Sequence, residues 1–455
     1  MLHPFFIFRS TSLGRLRCIS TNLCSRLFSS SSRSPWLTLP PTFEGDDMIH
    51  NFYSLADNKV LSFNKGYIPK GPLLVDPVFL KLPENDSIII GSSHGYLALL
   101  NQHRGDVFLY NPISGCLRKL PSLANLVDPN DLKLRIPKFI LSCSPENHEP
   151  QDKYSLECRA IVSFGQGDRL AFCWPGVSYE WKPIGISDVC VTDRYFYRYQ
   201  DFVYSPMDKL FIGITDMSLH SWDLQKHRAP RVEPTRWLYP WWCESSTSKS
   251  RDHRLMMIGI DENKDTYPWP YRSEEDNKLK ELCRHLKYLI SLSDGRLFLV
   301  IRHVVEQMAP DGSPYVKPEE DTTLDYDIDD VKVNYPYKTI GFDVHHIVRD
   351  EAKWRSTYME GSLDGMTMFV GSNQSFALSS SEFPELKANA IYFADDKDLS
   401  EFHPPGYRKS SSYGGHDVGI FDYENRIISP CYYPCDYNSI RKIEPTPMWF
   451  TPTEA

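Results

Sequence analysis

Residues 87–121 read SIIIGSSHGYLALLNQHRGDVFLYNPISGCLRKLP, and this stretch decides the fold. Ser87–Ile90 is a β-branched run ended by Gly91. Tyr96–Leu100 is a second apolar run, ended by the polar Asn101–Gly105 turn, and Val107–Tyr110 is a third, stopped by Asn111-Pro112. Gly115 and Pro121 bracket one more short segment. Runs this short, cut by Gly and Pro, predict an antiparallel meander rather than helices. A sheet of this size amounts to one blade of a β-propeller.

The same rhythm recurs outward from it. Upstream, Trp36–Pro41 opens the folded part and leads to a first strand at Phe52–Leu55. Downstream, Lys138–Cys143 and Glu157–Phe164 flank a polar loop, and Leu170–Trp174 turns at Pro175-Gly176 toward Tyr179–Trp181. Tyr199–Tyr204 turns at Pro206–Asp208 into Lys209–Thr215 and closes with Leu219–Leu224. Tyr288–Leu292 turns at Ser293-Asp294-Gly295 into Arg296–Arg302, and the pattern resumes at Thr339–Val348. A fifth cluster holds Gly365–Gly371, Ser375–Leu378 and Ala390–Phe393. A last one holds Val418–Tyr423 and Arg426–Ser429, with Met448-Trp449-Phe450 placed to close the ring. Between them, Lys278–Leu286 predicts a short helix with Leu279, Leu282 and Leu286 on one side. The expectation is an all-β chain. Residues 36–455 form a single β-propeller of about six or seven irregular four-stranded blades, since a blade cannot bury its faces alone. A pair of β-sandwich domains is the alternative. Trp222-Asp223 occurs once, without the repeat period that a WD40 array requires.

The first residues read differently. Up to Thr42 there are five arginines (Arg9, Arg15, Arg17, Arg26, Arg33), dense hydroxyl residues, no lysine and no acid. That composition predicts a disordered organelle transit peptide over residues 1–28, extending to 35 at most. Wound at about 100° per residue, Leu13, Leu16, Leu23 and Leu27 share a face opposite Arg15 and Arg26. Arg26-Leu27-Phe28 before Ser29-Ser30 fits a mitochondrial processing site, so the mitochondrion is the expected address and the chloroplast the second. A secretory signal fits less well, because Phe5–Phe8 is short and Arg9 follows it.

Bulk properties narrow the function. The sequence carries a net charge of −9, and removing residues 1–28, with four arginines and no acid, takes it to −13. Phosphate backbones need a concentrated basic surface, which argues against a nucleic-acid partner. No stretch approaches the ~18 consecutive apolar residues of a membrane span, so no membrane insertion is expected. The eleven cysteines are scattered. The closest pairs, Cys18/Cys24 and Cys431/Cys435, lack the two-residue gap of zinc or redox motifs, and reduced thiols are expected.

Four groups of residues invite chemistry. Gly91-Ser92-Ser93-His94-Gly95 satisfies the Gly-x-Ser-x-Gly pattern of a nucleophile elbow. That elbow needs a helix after the serine, whereas Tyr96–Leu100 reads as a strand, so a hairpin turn is expected. Asp325, Asp327 and Asp329 suggest a calcium loop, but the sixth and twelfth positions are Asp330 and Pro336 instead of Gly and Glu, which leaves a solvated acidic insertion. His345-His346 are adjacent in a strand and point to opposite faces, one buried and one exposed. Tyr239, Trp241, Trp242 and Trp269 form an aromatic cluster of the kind that anchors protein interfaces, and they are the candidate interaction residues. No catalytic, cofactor-binding or metal-ligating set is expected.

Taken together, GSSHGYLALLNQHRGDVFLYNPISGCLRKLP, LAFCWPGVSYEW, YQDFVYSPMDKLF, SLHSWDL, YLISLSDGRLFLV, GFDVHHI, SLDGMTMFVGSNQSFALS and NAIYFADD resemble, in order, the plant family of domain of unknown function 295. This is the KIB-type, F-box-associated β-propeller family, and the resemblance covers nearly all of Trp36–Pro452. It implies a propeller that engages a client protein. Many members place a helical F-box upstream to recruit a ubiquitin ligase, and a further branch carries a presequence instead. Nothing before Trp36 has the F-box pattern, so the second kind is expected. The expected function is a non-enzymatic, monomeric, organellar propeller acting as a protein-binding scaffold for an unknown client. The alternatives are a ligase adaptor or an enzyme with a site in the central channel.

Overall fold

β-Branched and aromatic residues at alternating positions, bounded by Gly, Pro and Asn-Gly-like turns, set the strands. The computed structural model describes residues 34–44, 47–64, 87–101, 104–126, 136–145, 158–165, 169–184, 198–215, 219–224, 283–305, 337–350, 353–396, 417–432 and 446–452. They contain 24 strands and one turn of 3-10 helix at Leu123–Leu126, with no α-helix among the described residues.

The strands form six sheets. The first holds β1 (Trp36–Glu44), β2 (Asp47–Ser54) and β3 (Lys59–Asn64). The second is the quoted stretch, with β4 (Ser87–Ser93), β5 (Tyr96–Asn101), β6 (Val107–Tyr110) and β7 (Leu117–Leu120). The third contains β8 (Phe139–Leu141), β9 (Ala160–Phe164), β10 (Arg169–Cys173) and β11 (Lys182–Ile184). The fourth has β12 (Asp201–Ser205), β13 (Leu210–Ile214) and β14 (Leu219–Trp222). The fifth has β15 (Cys283–Ser291), β16 (Leu297–Val305), β17 (Lys338–Asp350) and β18 (Lys353–Tyr358). The sixth joins β19 (Met366–Val370), β20 (Phe376–Ser379), β21 (Ala390–Phe393), β22 (Gly419–Asp422) and β23 (Ile427–Pro430), in the order β20-β19-β21-β22-β23. The last strand, β24 (Trp449–Phe450), returns to the first sheet and pairs antiparallel with β1, Trp36 opposite Phe450 and Leu37 opposite Trp449.

Six apolar cores lie between these sheets, one per neighbouring pair. Phe52 and Phe450 meet Leu97 and Leu99 between the first and second sheets, and Ala98 and Leu109 meet Phe139 and Val162 between the second and third. Phe172 and Trp174 face Phe202 and Trp222, and Val203 and Ile212 face Leu289 and Leu299. Tyr288 and Val300 face Met368 and Phe393, and finally Phe369 and Tyr392 face Leu37 and Trp449. The sixth core returns to the first sheet, so the ring closes. The protein is a six-bladed β-propeller.

Several expectations are corrected. Blade number settles at six because the two last expected blades are one five-stranded sheet. β21 runs parallel to β19 and lies between β19 and β22, a crossover that a meander reading does not foresee. Trp36–Pro41 is a strand and not a lead-in. Its two prolines fall where the β1–β2 register shifts between Leu39 and Thr42, and a bulge is where a strand tolerates proline. Residues 283–286 of the expected helix are the start of β15, since pairing of Cys283–Ser291 along all of Leu297–Val305 outweighs a leucine spacing. β4 runs past Gly91 to Ser93, a bulge between Ile89 and Gly91 absorbing the glycine. Tyr179–Trp181 is loop, and the outer strand of that blade begins at Lys182.

Candidate functional site

The strands β4, β8, β12 and β15 are neighbours in turn around the ring, and the polar residues beside them meet in its middle. Lys138 precedes β8 and Asp201 opens β12. The Lys138 ammonium lies 2.7 Å from the Asp201 carboxylate, their side chains 6% and 0% exposed. A charge pair removed from water persists only when its remaining sites are filled. Asp201 accepts the backbone amides of Phe202 at 2.7 Å and Leu289 at 2.9 Å, and the Ser375 hydroxyl at 3.2 Å. Lys138 also lies over the Tyr288 ring, 5.6 Å from its centre. Burial pushes the Asp201 carboxyl upward, and the ammonium and these donors act against it.

Residues 371–375, Gly-Ser-Asn-Gln-Ser, belong to the sixth blade but cross the ring. The Gln374 amide donates to the Ser92 carbonyl at 3.0 Å, and the Ser93 hydroxyl donates to the Gln374 side-chain oxygen. The Trp449 amide of the first blade donates to Asn373 Oδ1 at 3.4 Å, and Ser375 reaches Asp201 of the fourth. Ser372, Asn373 and Ser375 are buried. The crossing needs glycine at its start. Gly371 has φ +150°, and a Cβ there would lie 3.2 Å from that of Ala394.

The serine pattern at Gly91–Gly95 is a hairpin turn, as expected. His94 and Gly95 have φ 47° and 78°, both positive as a type I′ turn requires. Ser93 Oγ accepts the Leu141 amide at 3.0 Å while donating to Gln374, so the serine joins blades and is not presented to solvent. Removal from water lowers the His94 pKa to about 4, and its bond to the Leu141 backbone offsets that only in part. His220 is lowered likewise to about 4 by burial, its Nδ1 lying 2.7 Å from the Tyr199 hydroxyl.

Both rings are therefore neutral near neutral pH. A histidine whose folded pKa is depressed leaves stability intact above its unfolded value and withdraws it as pH falls from that value to the folded one. Stability is expected to fall by roughly 2–3 kcal/mol for His220 between pH 6.5 and pH 4. Thermal melts of His220→Gln against pH should show a flatter slope in that window. An identical slope would remove His220 from the account.

A second polar cluster sits on the fifth blade. His303 is buried, its Nε2 bonded to the Asp343 carboxylate and its Nδ1 2.9 Å from Nδ1 of the half-buried His285. His345 is buried beside the Tyr358 ring, while His346 is half-buried against Phe298. Among the described residues no group of three or more His, Cys, Asp or Glu is placed to hold a metal ion.

At the rim, the turn between β10 and β11 is closed by hydrogen bonds. The amides of Val177 and Ser178 donate to the Trp174 carbonyl at 3.0 and 2.9 Å, and the Trp174 amide donates to the Ser178 hydroxyl at 2.9 Å. Trp174 and Trp181 are buried at its two ends, and the Trp181 indole donates to the Pro121 carbonyl at 2.7 Å. This frame holds Tyr179 100% exposed and Val177 63% exposed. Tyr239, Trp241, Trp242 and Trp269, and the acidic insertion at Asp325–Asp330, lie outside the described residues. Sequence reasoning misses the meeting of Lys138, Asp201 and residues 371–375, because it reads the lysine and the aspartate as parts of separate strands and nothing local marks their contact. Tyr179 is legible as an aromatic after Pro175-Gly176, but the sequence reads it as strand.

A family model described as the KIB1-4 beta-propeller matches residues 69–422. Comparison with curated proteins found no match. Among solved structures, YCF48 from Cyanidioschyzon merolae is similar with a TM-score of 0.23 and 10% identity, over 43% of this chain and 57% of that one. The N-terminal domain of Nup159 is similar with a TM-score of 0.26 and 9% identity, over 85% of this chain and 73% of that one. The extracellular domain of BT4673 from B. thetaiotaomicron has a TM-score of 0.23 at 10% identity, over 89% of this chain and 48% of that one. The chain thus spans little more than half of YCF48 and about half of the BT4673 domain.

Proposed function

Since the chain belongs to the KIB1-4 beta-propeller family, we propose that it is a non-enzymatic scaffold that binds a client protein inside the mitochondrion. The observation that carries this reading is the turn holding Tyr179 wholly in solvent on a frame anchored by Trp174 and Trp181. Tyrosine is enriched among the residues that dominate binding energy, and a hydrogen-bonded turn leaves the backbone beneath the ring less freedom to lose when a partner buries it. The middle of the ring, by contrast, is occupied by Lys138, Asp201 and residues 371–375, which turns attention from the axis to the rim. The arginine-rich, acid-free leader supports the mitochondrial address, with the chloroplast as the second.

The test is capture of clients by the mature protein from purified mitochondria. Val177→Ser combined with Tyr179→Ala should weaken capture about 30-fold, the equivalent of a ~2 kcal/mol hot spot, with the thermal midpoint unchanged. Full retention of every client by the double variant would remove this surface from the proposal. The N-terminus of the organelle-resident protein should fall between Ser29 and Ser34, and a resident chain still beginning at Met1 would remove the leader.

A further inference from the structure

The third blade places two cysteines face to face. β8 and β9 pair Phe139 with Val162, Ile140 with Ile161 and Leu141 with Ala160. One step further, the Ser142 amide donates to the Arg159 carbonyl at 2.9 Å, and the Arg159 amide donates to the Ser142 hydroxyl at 2.9 Å. The next step sets Cys143 opposite Cys158. Both cysteines lie just beyond the last paired positions of β8 and β9, Cys143 in the bend after Leu141, and the Cys158 sulfur reaches the Cys143 carbonyl there. A disulfide spans Cα separations of roughly 4.4–6.8 Å, and the 3.0 Å contact between the Cys158 sulfur and the Cys143 carbonyl brings the two residues within that kind of reach. Both side chains point into the core shared with the second blade. Cys158 Sγ donates to the Cys143 carbonyl at 3.0 Å, and the two residues carry thiols here, Cys158 buried and Cys143 half-buried.

We propose that Cys143 and Cys158 are a modification site, closing into a reversible cross-strand disulfide when hydrogen peroxide is the oxidant. Cys143 is the one within reach of solvent. Its thiolate attacks a peroxide oxygen, the O–O bond breaks, and the departing hydroxide takes up a proton and leaves as water. The Cys158 sulfur then attacks the resulting sulfenic sulfur. The S–O bond breaks, and a second water leaves with the Cys158 proton. Two thiols lose two electrons and one peroxide becomes two waters. Burial keeps Cys158 from meeting peroxide first, which leaves it the second role. Its bond to Cys143 and its burial hold its thiol well above the ordinary range, so it gives up its proton only as it attacks. A dithiol reductant such as thioredoxin reverses the bond by thiol–disulfide exchange.

This inference stands independently of client binding. The experiment treats the purified full chain with hydrogen peroxide, blocks remaining thiols, and maps peptides by mass spectrometry. The expected product is a Cys143–Cys158 linked peptide, about 2 Da lighter than the two thiol peptides combined and lost on reduction. In Cys158→Ala, the Cys143 sulfenic acid should persist and be trapped by dimedone, a readout that does not depend on how well Cys143→Ser folds. Linkage of either cysteine to Cys173 instead, or oxidation of Cys143 to the sulfinic acid with Cys158 still alkylatable, would overturn the proposal.

Discussion

A chain truncated after residue 445 is expected to lose the folded ring, not merely to fray at one end. The truncation removes Met448, Trp449 and Phe450, all buried. Trp449 packs edge-on to Phe369 and Tyr392, at 5.3 and 5.9 Å between ring centres, in the core between the sixth and first blades. Phe450 lies 5.1 Å from Phe52 and 5.9 Å from Trp36, in the core between the first and second. Losing one such aromatic from a core costs about 3–5 kcal/mol, so the pair approaches the ~5–15 kcal/mol that holds a typical domain folded. Soluble yield and thermal midpoint read the result. A truncated chain that melts within a few degrees of the full one would show that the ring does not depend on β24.

Asp201→Ala is expected to destabilise the protein by about 3–5 kcal/mol, because it leaves the Lys138 ammonium buried without its counter-charge. The amide of Leu289 and the hydroxyl of Ser375 lose their acceptor with it. Removing both charges is different in kind. Lys138→Met combined with Asp201→Leu leaves no uncompensated ion, and its cost should be smaller than the sum of the two single changes. Denaturant titration of the two singles and the double measures that coupling. Additive costs would mean that the two groups contribute separately and that the 2.7 Å contact is incidental.

The contrast between what the sequence discloses and what it hides follows from range. Tyr96–Leu100 and Val107–Tyr110 announce themselves as strands because alternation and turn residues are local, and both match β5 and β6 to within a residue. The sequence splits the sixth blade between β21 and β22, because residues 394–418 separate these antiparallel neighbours and no tight turn announces their pairing. Lys138 and Asp201 carry no mark at all. A lysine before a strand and an aspartate at the start of another look like surface residues until the ring brings them together. Cys143 and Cys158 are equally silent, since only the pairing of β8 with β9 brings them together. Tyr179 shows the reverse failure: its aromatic ring suggests a strand, and the Pro175-Gly176 turn beside it is the stronger signal.

The pairing of β1 with β24 also governs when the protein can be finished. Trp36 must find Phe450 across almost the whole described chain, and β24 is the strand that fills that place. Closing so long a loop costs about 5 kcal/mol of chain entropy before any contact offsets it. Folding dominated by such distant partners is slow, and exposed strand edges invite wrong pairings meanwhile. Five blades can therefore assemble as the chain emerges from a ribosome, but the first stays open until β24 arrives. Chaperone occupancy should track the arrival of β24, which makes the synthesis of that strand the point at which the molecule becomes native.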